Sequence, residues 1–148
     1  MLAKSLVIFI GVGVLAGFTF GFYLLDMKIT NQLMFVEGSS ISIVTEKSDF
    51  KKGEEIKITV INSGTTPLTF SDTSYGLKIS GLFGIMMYSP SASQVFTTLK
   101  PREDIVFVWD QMKNDDTPVL EGLYKISSDG IDSMGNKVEK SITINIWK

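Results

Sequence analysis

Residues 5–25 form an unbroken run of 21 positions without a charged side chain. An α-helix rises about 1.5 Å per residue, so the run spans roughly 30 Å, the thickness of a bilayer's hydrocarbon core. The apolar part of a signal peptide is shorter, about 7–15 residues, and precedes a small-residue cleavage site. Val14-Leu15-Ala16 imitates such a site, but cleavage there would leave an apolar, aromatic-rich N-terminus beginning at Gly17. Residues 1–25 are therefore expected to be an uncleaved, single-pass transmembrane helix, with a cleaved signal or a pilin-type leader as the alternatives. Lys4 and the terminal amine flank one end, and Asp26 and Lys28 flank the other. The positive-inside rule then places the N-terminus in the cytoplasm and the rest of the chain outside the cell membrane.

Gly13, Gly17 and Gly21 stand four residues apart within this run, with Ala16 beside them. Residues at that spacing share one helical face. Glycine costs a helix about 1 kcal/mol relative to alanine, so a row of three asks for a reason. In lipid, small residues let helices approach closely, and close packing drives association. The row is read as a contact face for another transmembrane helix. The bland alternative is that glycine is common in membrane spans.

The rest of the chain excludes several classes of chemistry. It has no cysteine and no histidine. That removes a disulfide framework, a lipoprotein anchor, a Ser-His-Asp triad and a zinc-histidine site. The net charge of the whole chain is −2, and basic residues nowhere form a block. The footprint of a nucleic-acid binder is missing. No carboxylate pair, phosphate loop or nucleophile constellation stands out, so the chain is expected to be non-catalytic and to need no cofactor.

Residues 26–39 read as a juxtamembrane connector, either a helix continued to about Phe35 and stopped at Gly38, or an extended linker. From residue 40 to 148 the pattern is period-two alternation. Ile41, Ile43 and Thr45 alternate, as do Ile56, Ile58 and Val60, then Leu68 with Phe70, and Tyr75, Leu77 and Ile79. Ile105 and Phe107, then Tyr124 and Ile126, and finally Ile142, Ile144 and Ile146 continue the series. Turn-forming clusters separate the runs, among them Lys51–Glu54, Asn62–Pro67, Ser128–Gly130 and Met134–Lys137. No amphipathic helix interrupts them. Some eight strands at intervals near ten residues predict a mainly β chain, an immunoglobulin-like antiparallel β-sandwich behind one N-terminal transmembrane helix.

The stretches 50–70, 75–79, 94–111 and 122–126 resemble the BsuPI-type intracellular proteinase inhibitor domain. Gly53-Glu54, Asn62, Pro67 to Phe70, Phe96, Leu99, Pro101, Glu103, Trp109, Gly122 and Tyr124 follow that family's pattern in order. The resemblance implies an immunoglobulin-like sandwich and, as a function, protease binding. Arg102 stands where the family's turn carries glycine, and residues 81–93 replace an aromatic-rich region.

Within those residues Leu82, Phe83, Ile85, Met86, Met87 and Tyr88 form an uncharged apolar run. Such a run is either a fully buried strand or an exposed docking loop in which methionines adapt to a partner. Met86 and Met87 as soft copper ligands would call for cysteine or histidine as well, and the chain has neither. The oxygen-rich stretches 110–116 and 129–136 lack the spacing of a calcium loop, and turn chemistry accounts for their Asp, Asn and Gly. Trp109 and Tyr124 are expected in the core. Together these features predict a membrane protein that binds other membrane-protein subunits through its glycine face and external domain. An anchored proteinase inhibitor and a pilin-like filament subunit are the alternatives.

Overall fold

Alternating burial follows the alternating sequence. In the computed structural model, which describes residue 17 and residues 33–148, β1 (Ile41–Thr45) buries Ile41, Ile43 and Thr45. β3 (Ile56–Asn62) buries Ile56, Ile58, Val60 and Asn62 and turns Lys57 outward. These two strands and β8 (Asp104–Trp109) make an antiparallel three-stranded sheet in the order β1-β3-β8.

The second sheet is built on a long hairpin, β9 (Gly122–Asp132) with β10 (Lys137–Trp147). β2 (Asp49–Lys51) joins β10 in parallel. The other side of β9 is shared. β5 (Lys78–Gly81) takes its first half and carries β6 (Met86–Tyr88), while β4 (Leu68–Phe70) takes its end and carries β7 (Thr97–Leu99). The inner faces of both sheets meet in one core. Ile58, Val60 and Trp109 come from the first sheet, and Phe50, Leu68, Ile79, Ile126 and Ile144 from the second. Each such aliphatic side chain contributes about 1.5–3 kcal/mol on burial. The architecture is mainly β and sandwich-like, with no helix among residues 33–148.

Two sequence expectations are corrected here. Ser128–Gly130 is not a turn but the middle of β9. Ser128 is buried and donates to the Tyr75 carbonyl at 2.7 Å. At Gly130 the Phe70 ring occupies the place of a side chain, and a Cβ there would lie 2.7 Å from it. The glycine therefore serves packing, not chain reversal. Tyr75 does not belong to a strand either. Tyr75 and Gly76 have φ of 52° and 64°, and β5 starts only at Lys78. Gly76 lies against the backbone of Asp129, whose nitrogen would be 2.8 Å from a Cβ.

Of the two readings of the connector, the helix continued through Phe35 is not found, because residues 33–36 are non-helical. They are fastened to the turn after β3. The Val36 N–H donates to the Ser63 carbonyl at 2.9 Å, and the Thr65 N–H to the Gly38 carbonyl at 2.8 Å. The Gly38 N–H donates to Thr65 Oγ1 at 2.9 Å, and the Ser39 hydroxyl to Asp132 Oδ2 at 3.1 Å. Met34–Lys148 thus form one compact unit. The proposed span over residues 5–25 lies outside the described residues except for Gly17. Among the described residues no helix is long and apolar enough to cross a membrane.

Two buried amides join the sheets where no disulfide does. Asn62, at the end of β3, donates from Nδ2 to the carbonyls of Thr66 and of Leu99 on β7, both at 2.8 Å. Its Oδ1 accepts the Gly64 N–H at 3.0 Å. Toward the opposite end of the unit Gln111 follows β8 with φ of 62°. It donates to the carbonyls of Lys51 and Glu54 and accepts the Gly53 N–H at 2.8 Å. Both amides are almost fully buried, and their donors and acceptors are used.

Asp132 ties the connector to the β9–β10 turn, and its charge state matters. The Asn136 N–H, donated at 2.8 Å, holds this carboxyl below the usual carboxylate range, against the opposing effect of burial. The Asn136 side chain, the Met134 N–H and the Ser39 hydroxyl add to the lowering. A carboxylate with a depressed folded pKa stabilises fully above its unfolded pKa of about 3.9, and that stability is lost as pH falls through the folded value. Urea midpoints measured from pH 7 downward should therefore fall in acid. Asp132→Asn should start lower at pH 7 and fall less. A variant with the same midpoint and the same acid limb as the parent would contradict this role.

Candidate docking surface

The apolar run 82–88 is divided between surface and core. Ile79 of β5 pairs with Tyr88 of β6, and the register shifts between Ile79 and Ser80. The hairpin closes through Gly84, with φ of 79°, whose N–H donates to the Gly81 carbonyl at 3.0 Å. Gly81 in turn donates to Ile85 at 3.0 Å. At the tip Phe83 is 96 % exposed, and Leu82, Ile85 and Met86 are 61 %, 63 % and 57 % exposed. The buried-strand reading therefore fails for these four residues. Burying them would have required a second sheet over the hairpin, and the hairpin extends beyond the core. Met87 and Tyr88, by contrast, are half-buried against the core.

The base of the hairpin is fixed. The Tyr88 ring stacks on Trp109 with centroids 6.0 Å apart. Burial, and secondarily the Asp110 charge, push the Tyr88 hydroxyl above its ordinary pKa. Asn114 finishes the outer side of β6. Its N–H donates to the Met87 carbonyl at 3.1 Å, and its Oδ1 accepts the Ser89 N–H at 3.0 Å. The tip thus presents four uncharged apolar side chains on a rigid support. Contiguous exposed apolar surface of this kind marks interaction sites.

The tip and the connector lie toward opposite ends of β9. Gly81 pairs with Tyr124, whereas Ser39 bonds Asp132, eight residues further along. At about 3.4 Å per residue, that is roughly 27 Å. Of the glycine face, Gly13, Ala16 and Gly21 lie outside the described residues, and Gly17 is described without its neighbours.

Three carboxylates of the two oxygen-rich stretches serve their own turns, while Asp129 pairs with Lys78 and Lys137. Asp110 Oδ1 accepts from Met112, Asp115 Oδ1 from Thr117, and Asp132 Oδ1 from Met134 and Asn136. Among the described residues no group of three His, Cys, Asp or Glu side chains is placed to hold a metal ion. Sequence reasoning overlooked the burial of Gln111 and the exposure of Val95 and of Phe96, the latter, matched above only as part of the family pattern, being 79 % exposed. Neither has a periodic signal: Gln111 owes its burial to the β2–β3 turn, and Phe96 stands alone before β7.

Most residues that carry the family resemblance build the fold. Asn62, Leu68, Phe70, Leu99, Trp109 and Tyr124 are buried. The Tyr124 hydroxyl donates to the Leu120 carbonyl at 2.6 Å. Glu54 and Glu103 close equivalent turns by accepting the N–H groups of Lys51 and Lys100. Arg102, in the glycine's place, takes φ of 68° and sets its guanidinium 5.6 Å from the Phe35 ring centroid.

No protein-family model matches the chain, and no curated protein matches it. Among solved structures it is similar to Spo0M, a sporulation control protein from Bacillus subtilis, at 16 % identity and a TM-score of 0.43. That match covers 76 % of this chain and 51 % of Spo0M, so the chain spans about half of that protein's length. It is also similar to the sulfur carrier protein SoxY from Chlorobium limicola f thiosulfatophilum, at 12 % identity and a TM-score of 0.44. Here 84 % of this chain and 94 % of SoxY are covered. A β-glucosidase from Listeria innocua matches at 11 % identity and a TM-score of 0.33, over 74 % of this chain and 16 % of the enzyme.

Proposed function

We propose that this chain is a non-catalytic, single-pass membrane protein whose external immunoglobulin-like domain binds other proteins, as an accessory subunit of a membrane-embedded complex. The observation that carries the reading is the apolar tip of Leu82, Phe83, Ile85 and Met86 on a fixed hairpin. The charge-free run 5–25 supports the anchor, and its glycine row supports packing on a neighbouring helix. The immunoglobulin-like assignment is supported by the Tyr124 hydroxyl reaching back to Leu120, while β2 departs from the antiparallel pattern by pairing with β10 in parallel. A tyrosine tied to the backbone just upstream is a mark of such sandwiches. The BsuPI resemblance rests mainly on fold-forming residues, so it supports the fold more than it supports protease inhibition.

The test is co-purification of the full chain from mild detergent. Phe83→Asp places a charge on the tip without touching the core, and partner recovery should fall at least about tenfold at the affinity loss typical of an interface anchor. Gly17→Leu should weaken assembly as well, although leucine is the better helix former. If both variants retain every partner of the parent, the subunit reading is wrong. Capture of a protease that is lost with Phe83→Asp would favour the inhibitor instead.

A further inference from the structure

We propose that the free edge of β8 accepts an extended, basic segment of a partner protein as the fourth strand of the three-stranded sheet. This surface is separate from the hairpin tip and does not depend on the function assigned to it. β8 pairs only with β3 among the described residues. The Asn62 N–H donates to the Glu103 carbonyl at 3.0 Å, and Val60, Ile58 and Ile56 stand opposite Ile105, Phe107 and Trp109. Hydrogen-bonded pairs alternate along an antiparallel ladder. Ile105, Phe107 and Trp109 therefore turn their backbone groups to β3, and Asp104, Val106 and Val108 turn theirs to the open side. The side chains of Val106 and Val108 are exposed as well. Proteins usually blunt such an edge with lysine, proline, a bulge or a covering loop.

A groove of about 850 Å³ runs beside the last part of this edge, between Val108 and the loop that follows β6. Glu55, Asp72, Asp110 and Asp116 line it against the single cation Lys113. The Ser74 hydroxyl and N–H hold the Asp72 carboxyl below the usual range, so it is charged at neutral pH. The occupant is therefore basic. A second copy of the chain fits less well. Antiparallel self-pairing centred on Phe107 sets Val106 against Val108 but Asp104 against Asp110 at both ends. Like charges directly opposite destabilise a sheet. A strand with valines beside Val106 and Val108, and lysines toward the carboxylates, meets both the apolar and the acidic requirement. Main-chain bonds supply affinity in this mode, and the flanking side chains supply specificity.

The test uses the full chain in mild detergent and a fluorescent peptide with valines at two alternate central positions and lysines on either side of them, with its glutamate-for-lysine counterpart as control. The lysine peptide should bind, weaken with salt, and slow amide exchange at Val106 and Val108. Val106→Pro removes an edge N–H but no ladder bond, a place where proline is tolerated. It should cut binding at least about tenfold. Val108→Lys, which adds a positive charge at the edge, should do the same if the proline variant fails to fold. No binding of the lysine peptide would overturn the proposal. So would equal binding of the glutamate peptide, binding indifferent to both variants, or self-association through β8.

Discussion

Replacing Trp109 by alanine should lower the unfolding free energy by about 3–5 kcal/mol, the range for deleting a large buried aromatic. Trp109 is 1 % exposed and lies opposite Ile56 at the end of β8. Its ring meets Tyr88 at 6.0 Å and Tyr124 at 6.1 Å, one from the hairpin and one from β9. Its indole N–H donates to the Met112 carbonyl at 2.7 Å. Alanine would leave a cavity at the meeting point of both sheets and free the support of the β5–β6 hairpin. A total stability of about 5–15 kcal/mol is usual for a domain, so the loss is a large share of it. Trp109→Phe keeps a ring but loses the N–H, and should cost distinctly less. Urea unfolding of the full chain, followed by circular dichroism, reads both values. An alanine variant within about 1 kcal/mol of the parent would mean that the hairpin collapses onto the gap.

The second large effect is expected at Asn62, where aspartate is nearly the same shape and the wrong chemistry. The Asn62 Nδ2 donates to the carbonyls of Thr66 and Leu99, and the side chain is fully buried. Aspartate offers oxygens to both carbonyls, and when ionised it has no proton to give. Leaving buried acceptors unpaired costs about 1–3 kcal/mol each, and a buried charge costs more. Asn62→Asp should therefore destabilise by at least about 3 kcal/mol at neutral pH. The introduced carboxyl would have a raised folded pKa, because burial and two facing carbonyls disfavour its charge. Its penalty is then smallest below the unfolded pKa of about 3.9 and grows as pH rises through the folded value. Stability measured at pH 7 and again in acid should show the gap between variant and parent narrowing in acid. An equal gap at both would show that the two carbonyls find other donors.

The fold was legible wherever a strand is long and half-buried. β1, β3, β8 and β10 each put one face into the core, so their Ile and Val positions recur with period two. The short strands β2, β6 and β7 were not legible, since unlike β4 with Leu68 and Phe70 they carry no pair of buried apolar residues two apart. Ser128–Gly130 misled for a definite reason. Serine, aspartate and glycine are turn formers in isolation, but here Gly130 yields its side-chain space to Phe70 and Ser128 serves Tyr75. The candidate surface was half legible. Composition marked residues 82–88 as unusual, but an apolar run looks the same inside a core and on a tip.

From the sequence alone came the charge-free run 5–25, the β class of the remainder, the absence of thiol and imidazole chemistry, and the core positions Trp109 and Tyr124. These depend on local composition and period, which a chain carries with it. The tertiary structure alone decided that Phe83 faces solvent while Tyr88 packs on Trp109. It also decided that Asn62 and Gln111 join the two sheets, and that the outer side of β8 is left open among the described residues. Each of these is a relation between residues distant in the chain. Burial, amide pairing and a free edge are set by what lies across the gap, and no local pattern records that.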